Sequence, residues 1–307
     1  MKNETTTVVL GHGPETETVT TIFSKGEVSS TDSFHPEGAE MEAENNPVPV
    51  AGYADSPEGT VLSTQLPEPA LAETPSGRFL FHPEIVFPPD DRVRVEKTSA
   101  WPYSVHGHMI MRFPNGQVYI GSGTMVNRHH VLTAGHCVFS QEDGGWATSI
   151  QFNAGQDENL LPFGSAMAVR LLSVRGWTED QDSAWDMGML ILDRELGQQT
   201  GWFGLATFDS ANKLLNKQVN VTGYPGDKGG EQMWTHADVI KSVTDDRFFY
   251  TIDTMGGQSG SGVWSVFAGH QGEKVAGIHT TGSASGNGAT RLSRAKFDRI
   301  VSWFQQY

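Results

Sequence analysis

Short apolar stretches alternate with turn-forming residues from about residue 85 to the C-terminus. Eight stretches read as strands: "HMIMRF" (108–113), "VYIGSGTMV" (118–126), "HVLTAGHCVF" (130–139), "MGMLIL" (187–192), "KQVNVTGY" (217–224), "RFFYTID" (247–253), "GVWSVF" (262–267) and "VAGIHT" (275–280). The segments "FPNGQ", "EDGG", "GYPGDKGG" and "GSASGNG" lie between them and are rich in turn residues. Many short strands without alternating helices predict an all-β fold of antiparallel barrels or sandwiches.

The C-terminal segment has a different period. Phe297, Ile300, Val301 and Phe304 recur at spacings of three and four residues, and Ser293 or Arg294 stands near the start of the pattern. This spacing places the apolar side chains on one face of a helix. We therefore expect a C-terminal amphipathic helix packed on the β structure.

Charge and proline divide the chain in two. Residues 1–84 hold 14 acidic and 3 basic residues and 9 of the 15 prolines. A segment with few apolar residues, excess acid and frequent proline cannot offset its ordering entropy by burial. We interpret 1–84 as a mostly disordered leader or propeptide, with a simple acidic tail as the alternative, and 85–307 as the folded domain.

Bulk properties exclude several classes of function. The formal net charge of -15 argues against nucleic acid and anionic membrane surfaces as partners. The sequence has neither an apolar run long enough to span a bilayer nor a recognisable signal peptide at its start. A single cysteine, Cys137, excludes an internal disulfide and a multi-cysteine metal site, and we expect it to be a buried free thiol. We expect no metal and no cofactor.

Four glycines surround one serine in "TMGGQSGSGVW" (254–264). Such a cluster indicates a need for bare backbone, since glycine loses more entropy on folding than any other residue. A nucleophilic serine needs amide donors aimed at the developing oxyanion, and these require a tight, unobstructed loop. We predict that Ser259 is the nucleophile and that the amides of Gly257 and Ser259 form an oxyanion hole. Ser261 is the weaker alternative.

A base and an orienting acid lie upstream. His136 follows the apolar segment "VLTAG", and Asp186 stands directly before the apolar run "MGMLIL". The order histidine, aspartate, serine is the one used by chymotrypsin-like enzymes. Asp180, Asp182 and Asp193 are alternative acids. His106 and His108 alternate as metal ligands do, but without nearby acids or cysteines we expect them at the surface.

These motifs resemble a known family. "GSGTMV", "HVLTAGHCV" and "GGQSGSGV" resemble the catalytic regions of chymotrypsin-like serine endopeptidases, and "WDMGMLIL", "VTGYPGDK", "YTIDTMGGQSGSG" and "VAGIHTTG" resemble the glutamyl endopeptidases. The resemblance runs from about Val86 to the C-terminal helix. It implies two antiparallel six-stranded barrels, a Ser/His/Asp acyl-enzyme mechanism, protein or peptide substrates and secretion. We expect a monomer.

The resemblance also implies a specificity pocket. Thr254 and His279 match the positions that bind the substrate carboxylate in glutamyl endopeptidases, which implies cleavage after glutamate or aspartate. Asp253 lies six residues before Ser259, where trypsin-like enzymes place the acid that selects basic side chains. Basic specificity set by Asp253 therefore stays open, as does a non-catalytic binding protein with a protease fold.

The leader boundary suggests a zymogen. "HPEIVFPPDD" places Glu84 directly before Ile85 and Val86. In the resembling enzymes the mature chain begins near such a residue, and its freed amino group helps to form the pocket. We expect cleavage between Glu84 and Ile85, a bond that a glutamate-specific enzyme could cut itself.

Overall fold

Strands make up most of the regular structure in the described part of the chain. The computed structural model describes residues 4–10, 17–23, 28–34, 61–65, 84–267, 272–283 and 286–307. The strands are β1 (Glu4–Leu10), β2 (Glu17–Phe23), β3 (Val28–Ser30), β4 (Val61–Gln65), β5 (Val93–Arg94), β6 (His106–Arg112), β7 (Val118–Met125), β8 (His130–Thr133), β9 (Phe139–Ser140), β10 (Gly145–Trp146), β11 (Ser149–Ala154), β12 (Ala166–Val174), β13 (Gly188–Leu192), β14 (Gly204–Phe208), β15 (Gln218–Gly223), β16 (Trp234–Val243), β17 (Arg247–Tyr250), β18 (Gly262–Val266), β19 (Glu273–Ser283) and β20 (Gly286–Arg291). The α-helices are α1 (Gly135–Val138), α2 (Arg175–Thr178), α3 (Gly197–Thr200) and α4 (Arg294–Gln306), and 3-10 turns lie at Tyr103–Val105, Ser183–Trp185, Ala211–Leu214 and Gly226–Lys228.

The first barrel consists of β6, β7, β8, β13, β12 and β11, paired in that order. It closes where β11 pairs with β12, with Gln151 opposite Met167. Strands β8 and β13 are buried along their whole length, which explains their nearly continuous apolar sequences. Closure leaves no free edge in the barrel itself.

The second barrel consists of β15, β16, β17, β20, β19 and β18. It closes where β18 pairs with β19, with Val263 opposite Gly277. Strand β14 joins the start of β19 in parallel, and β5 extends β16. The expected fold of two antiparallel six-stranded barrels is confirmed.

Helix α4 confirms the C-terminal prediction. Phe297, Ile300 and Phe304 are buried in the main apolar core, together with Trp303. Ser293 occupies the N-cap position. The three- and four-residue spacing therefore marks the face that packs on the barrels.

The leader contributes strands that the sequence did not predict. Strand β3 pairs antiparallel with β14, and β4 pairs antiparallel with β12, while β1 and β2 pair with each other. The leader thus adds one strand to the sheet of each barrel. The other leader residues, where disorder is expected, lie outside the described residues.

Two predicted elements differ from the structure. The strand expected over 130–139 ends at Thr133, and the chain then turns into α1, which carries His136. The glycine-rich segment interpreted as a turn ends in the first three residues of β20, a strand whose residues are all buried. Among the described residues no helix is long and apolar enough to cross a membrane.

Candidate active site

His136 and Asp186 are joined by two hydrogen bonds. The His136 amide donates to Asp186 Oδ1 at 2.9 Å, and Nδ1 of the imidazole lies 2.8 Å from Oδ2. Gly135 allows this approach, because a Cβ there would lie 3.0 Å from Oδ1 and 2.7 Å from the Trp177 ring. Both side chains are nearly buried. The carboxylate therefore fixes the direction of the imidazole ring.

Burial and charge act in opposite directions on His136. Burial disfavours the imidazolium, but the Asp186 carboxylate more than compensates and raises the pKa of His136 well above its usual value of 6.5. Two of the three alternative acids are engaged elsewhere: Asp182 accepts from the Ala184 amide and Asp193 from the Met167 amide.

Ser259 lies in a tight loop that two glycines make possible. Gly257 and Gly260 have φ of 107° and 90°, in the region that disfavours residues with a Cβ. A Cβ on Gly257 would collide with the Tyr224 carbonyl, and one on Gly260 with the Thr133 side chain. The loop is therefore pressed against the end of β15 and against β8, the strand that leads to His136.

The amides of this loop fall into two groups. Those of Gln258, Gly260 and Ser261 donate to backbone carbonyls at 2.8–3.0 Å. Those of Gly256, Gly257 and Ser259 have no acceptor among the residues that the structure describes. The two amides predicted from the sequence are thus among those available to a further acceptor.

Ser122 is a site residue that sequence reasoning missed. Its hydroxyl donates to the Gly257 carbonyl at 2.8 Å and accepts from the Tyr224 amide at 3.0 Å. Its own amide donates to the Ser259 carbonyl at 2.9 Å. A serine of the first barrel therefore holds the loop of the second, a long-range contact with no local sequence signal.

Cys137 also contacts the serine loop. Its thiol lies 3.7 Å from the Ser259 carbonyl and is buried and free, as predicted. Because Cys137 follows His136 directly, this contact brings the histidine segment and the serine segment together.

The carboxylate of Glu84 occupies the site. The Ser259 hydroxyl donates to Glu84 Oε1 at 2.6 Å, and His279 Nε2 lies 3.2 Å from Oε2. His279 Nε2 and Glu84 Oε2 are therefore close enough for an ion pair, but they are not aligned for a hydrogen bond. The Glu84 and His279 side chains are fully buried. Gly282 leaves room for this segment, because a Cβ there would lie 2.5 Å from Glu84 Cα.

His279 has a second partner that the sequence did not suggest. The Tyr250 hydroxyl lies 2.6 Å from His279 Nδ1. Burial, and to a smaller extent the charge of Glu84, raise the pKa of Tyr250 well above its usual value, so the phenol stays neutral. The two side chains therefore form one buried unit facing Glu84.

Thr254 is positioned differently from His279. Its amide donates to the Ile85 carbonyl at 3.2 Å, while its buried hydroxyl has no partner among the described residues. Asn287 binds the backbone of the same residue: Nδ2 donates to the Ile85 carbonyl at 2.7 Å, and Oδ1 accepts from the Ile85 amide at 3.3 Å. Sequence reasoning missed Asn287 because its segment was interpreted as a turn.

Asp253 does not offer a free carboxylate to the site. Oδ1 accepts from the Phe87 amide at 2.6 Å, and Oδ2 accepts from the Asp91 amide at 2.9 Å. His236 Nδ1 accepts from the Asp253 amide and lies 3.4 Å from Oδ2. Asp253 therefore anchors the segment that follows Glu84.

Asp91, His236 and Asp253 also form a group of possible metal ligands within the described residues. Both Asp253 oxygens accept backbone amides, which gives the carboxylate a structural role.

The expectation that His106 and His108 lie at the surface is wrong. Both are completely buried, and burial lowers the pKa of His106 to about 3 and that of His108 to about 4. Their Nδ1 atoms contact Thr124 Oγ1 and Gln156 Oε1, respectively. Ser261 is also buried, with its hydroxyl next to Gly223.

Comparison with known proteins identifies the family. A trypsin-like peptidase domain matches residues 121–275, about half of the chain. A solved structure of a Glu endopeptidase in complex with MPD aligns over 73% of this chain and 100% of that chain, with a TM-score of 0.63 and 23% identity. This second match supports the fold.

Two curated relatives cover most of the chain. The extracellular metalloprotease of Bacillus subtilis (strain 168) is 33% identical over 88% of this chain and 86% of that protein. The glutamyl endopeptidase of Bacillus licheniformis is 30% identical over 70% of this chain and 67% of that protein. The chain therefore belongs to the trypsin-like serine endopeptidases, in the group that contains the glutamyl endopeptidases, and its substrates are proteins or peptides.

Proposed function

We propose that the chain is the precursor of a secreted serine endopeptidase that cleaves after glutamate and, more weakly, after aspartate. His136, Asp186 and Ser259 are its catalytic triad. The 2.8 Å contact between the imidazole and Asp186 supports the assignment of base and orienting acid.

The mechanism is acyl transfer. His136 accepts the Ser259 proton as the hydroxyl attacks the peptide carbonyl, and Asp186 stabilises the resulting imidazolium. The amides of Gly257 and Ser259 stabilise the oxyanion, since neither has another acceptor in the described structure. His136 then protonates the leaving amine, and water releases the acyl-enzyme.

One observation carries the proposed specificity: a glutamate carboxylate of this chain lies against His279, 3.2 Å from Nε2, with both side chains buried. The Thr254 hydroxyl is the second polar group that we assign to the pocket, and it is buried without a partner within the described residues. Charge-assisted hydrogen bonds to a carboxylate contribute about 1.5–3 kcal/mol each. A free-energy difference of this size is enough for the pocket to bind glutamate in preference to glutamine.

Basic specificity is disfavoured by the environment of Asp253. Its two oxygens accept hydrogen bonds from the backbone amides of residues 87 and 91. A lysine or arginine side chain of a substrate would have to displace this segment to reach the carboxylate.

Peptide cleavage tests this specificity. Matched peptides that differ only in Glu, Asp, Gln or Arg before the scissile bond are compared by kcat/KM with the leader removed. We expect Glu first and Arg last. Faster cleavage after Arg would contradict the pocket assignment. Cleavage of no peptide, together with failure of a fluorophosphonate probe to label Ser259, would instead indicate a binding protein.

We propose that the precursor is inactive until cleavage between Glu84 and Ile85. The contact of 2.6 Å between the Ser259 hydroxyl and the Glu84 carboxylate supports this, because the nucleophile is engaged. N-terminal sequencing of the active form should give Ile85 first, and a Glu84→Gln chain should be processed more slowly.

A further inference from the structure

The leader strand β3 and the residues after it are hydrogen-bonded to the edge of the second barrel's sheet. Residues 28–30 pair antiparallel with residues 206–208. The Thr31 amide donates to the Leu205 carbonyl at 3.0 Å, and the Leu205 amide donates to Thr31 Oγ1 at 2.8 Å. Phe34 and Trp202 exchange two backbone hydrogen bonds of 2.7 and 2.9 Å. The pairing thus extends over residues 28–34.

Three glycines of the protease domain make room for this segment. A Cβ on Gly201 would lie 2.5 Å from the Phe34 carbonyl oxygen, one on Gly204 would collide with the Thr31 carbonyl, and one on Gly272 would collide with Ser33 Oγ. We call the surface formed by Gly201, Gly204 and Gly272 the leader groove. Because glycine has no side chain, these three positions leave space that one extended segment occupies.

Side chains complete the groove at both ends. The Phe34 and Trp202 rings stack with centroids 4.4 Å apart. Next to Gly204, Lys274 is 1% exposed, and its Nζ has no hydrogen-bond partner among the described residues. The stacked rings remove apolar surface from water and so favour docking. The amine of Lys274 opposes docking when it is charged, because it is buried without a partner.

We propose that the leader groove is a docking site for residues 28–34 of the leader, and that it keeps the leader bound to the protease domain after the connecting chain is cut. The occupant binds as an added strand, so main-chain hydrogen bonds provide affinity and the glycines and Trp202 provide selectivity. The proposal does not depend on which residue the enzyme cleaves after.

A nicked precursor tests this docking. In the full chain with Ser259→Ala, a recognition sequence for an added site-specific protease replaces residues within 45–55, and the chain is cut there. The released fragment contains β1, β2 and β3 but not β4. We expect it to co-elute with residues 56–307 in gel filtration and to appear with them in native mass spectrometry.

Two leader substitutions sharpen the test. Thr31→Val removes the acceptor of the Leu205 amide, and Phe34→Ala removes the stacked ring. Together they should weaken retention of the fragment at least about tenfold. The control is Asp32→Glu, which keeps the charge of an exposed side chain and should leave retention unchanged.

Hydrogen exchange in the uncut chain gives an independent readout. The amides of Trp202 and Leu205 donate to the leader, so they should exchange faster in the Thr31→Val, Phe34→Ala chain, while exchange in β7 and β8 stays the same. The proposal is overturned if the nicked fragment separates from the parent protein, or if the double substitution changes neither retention nor exchange.

Discussion

Asp186 binds both the backbone and the ring of His136, so one carboxylate fixes the position and the orientation of the imidazole. Although burial lowers the pKa of His136, the negative charge of the same carboxylate stabilises the imidazolium, and the pKa is raised above that of a histidine in water. As the proposed general base, His136 is therefore well oriented, and its raised pKa favours the protonated form.

This has a measurable consequence for the pH dependence of activity. His136 works as a base only when neutral, so kcat/KM should rise as pH increases through its raised pKa. We expect the acidic limb of the profile to have its midpoint above 6.5, the usual histidine pKa. Asp186→Asn should move that midpoint to lower pH and reduce kcat about 10⁴-fold. A midpoint at or below 6.5 in the unsubstituted enzyme would contradict the assignment.

The two serines of the loop provide a matched pair of substitutions. Ser259→Ala should reduce kcat about 10⁶-fold, because the nucleophile is lost. Ser261→Ala removes a buried hydroxyl that faces Gly223 and should leave most of the activity. Circular dichroism should show that both proteins are folded. If Ser261→Ala were the inactive one, Ser259 would not be the nucleophile.

Tyr250 is expected to act on specificity through His279. Tyr250→Phe removes the hydroxyl 2.6 Å from Nδ1 and leaves the imidazole without the partner that fixes its orientation. For Glu peptides we expect KM to rise about tenfold with little change in kcat, and the Glu over Gln preference to fall. Tyr119→Phe is the control, since that hydroxyl donates to Asp143 away from the site. Equal losses for Glu and Gln peptides would show a merely structural role.

At the scale of elements, the period of apolar residues predicted the eight strands that were named and the C-terminal helix. It missed β16, because the side chains over most of its length are only partly buried and its sequence alternates weakly. It missed β20 because "GNGATR" contains the residues typical of turns. In β20, glycine is required by packing rather than by a turn, because a Cβ on Gly288 would lie 2.9 Å from the Phe249 ring.

The chemistry of the site was predictable to a similar extent. His136, Asp186 and Ser259 stand in recognisable local motifs, and the resemblance supplied His279 and Thr254. Ser122, Tyr250 and Asn287 had no such signal, since each acts through a hydrogen bond to a residue at least 29 positions away. Local patterns cannot specify such contacts before the topology is known.

Docking of the leader strand should depend on pH through Lys274. Burial lowers the pKa of Lys274 to about 8, while Asp32 and Glu273 act weakly in the opposite direction. If undocking exposes Lys274, its pKa returns towards 10.5, so the docked state binds fewer protons between these two values. Retention of the nicked leader fragment should therefore strengthen from pH 8 to pH 10, by at most about tenfold per pH unit.

Lys274→Met is the control for this effect, because it keeps the length of the side chain and removes the titration. Binding measured by fluorescence anisotropy should then be nearly independent of pH over the same range. A pH dependence that persists in Lys274→Met would assign it to another group.

At the scale of the whole molecule, the contact between Glu84 and Ser259 bears on how the leader is removed. It is the side-chain carboxylate of Glu84, not the bond to Ile85, that lies against the nucleophile. We therefore expect one molecule to process another. Added active enzyme should therefore raise the initial rate of leader loss in proportion to its own concentration, and it should cut a Ser259→Ala precursor. A rate of leader loss that does not depend on added enzyme would indicate cleavage within one molecule.

The leader also bridges the two halves of the molecule that supply the catalytic groups. Through β3 it is joined to the barrel that carries Ser259 and His279, and through β4 to the barrel that carries His136 and Asp186. A tether of this kind reduces the entropy lost when two separately closed barrels come together. If the leader is removed as proposed, the mature chain keeps the two barrels in register through its own barrel-to-barrel contacts alone.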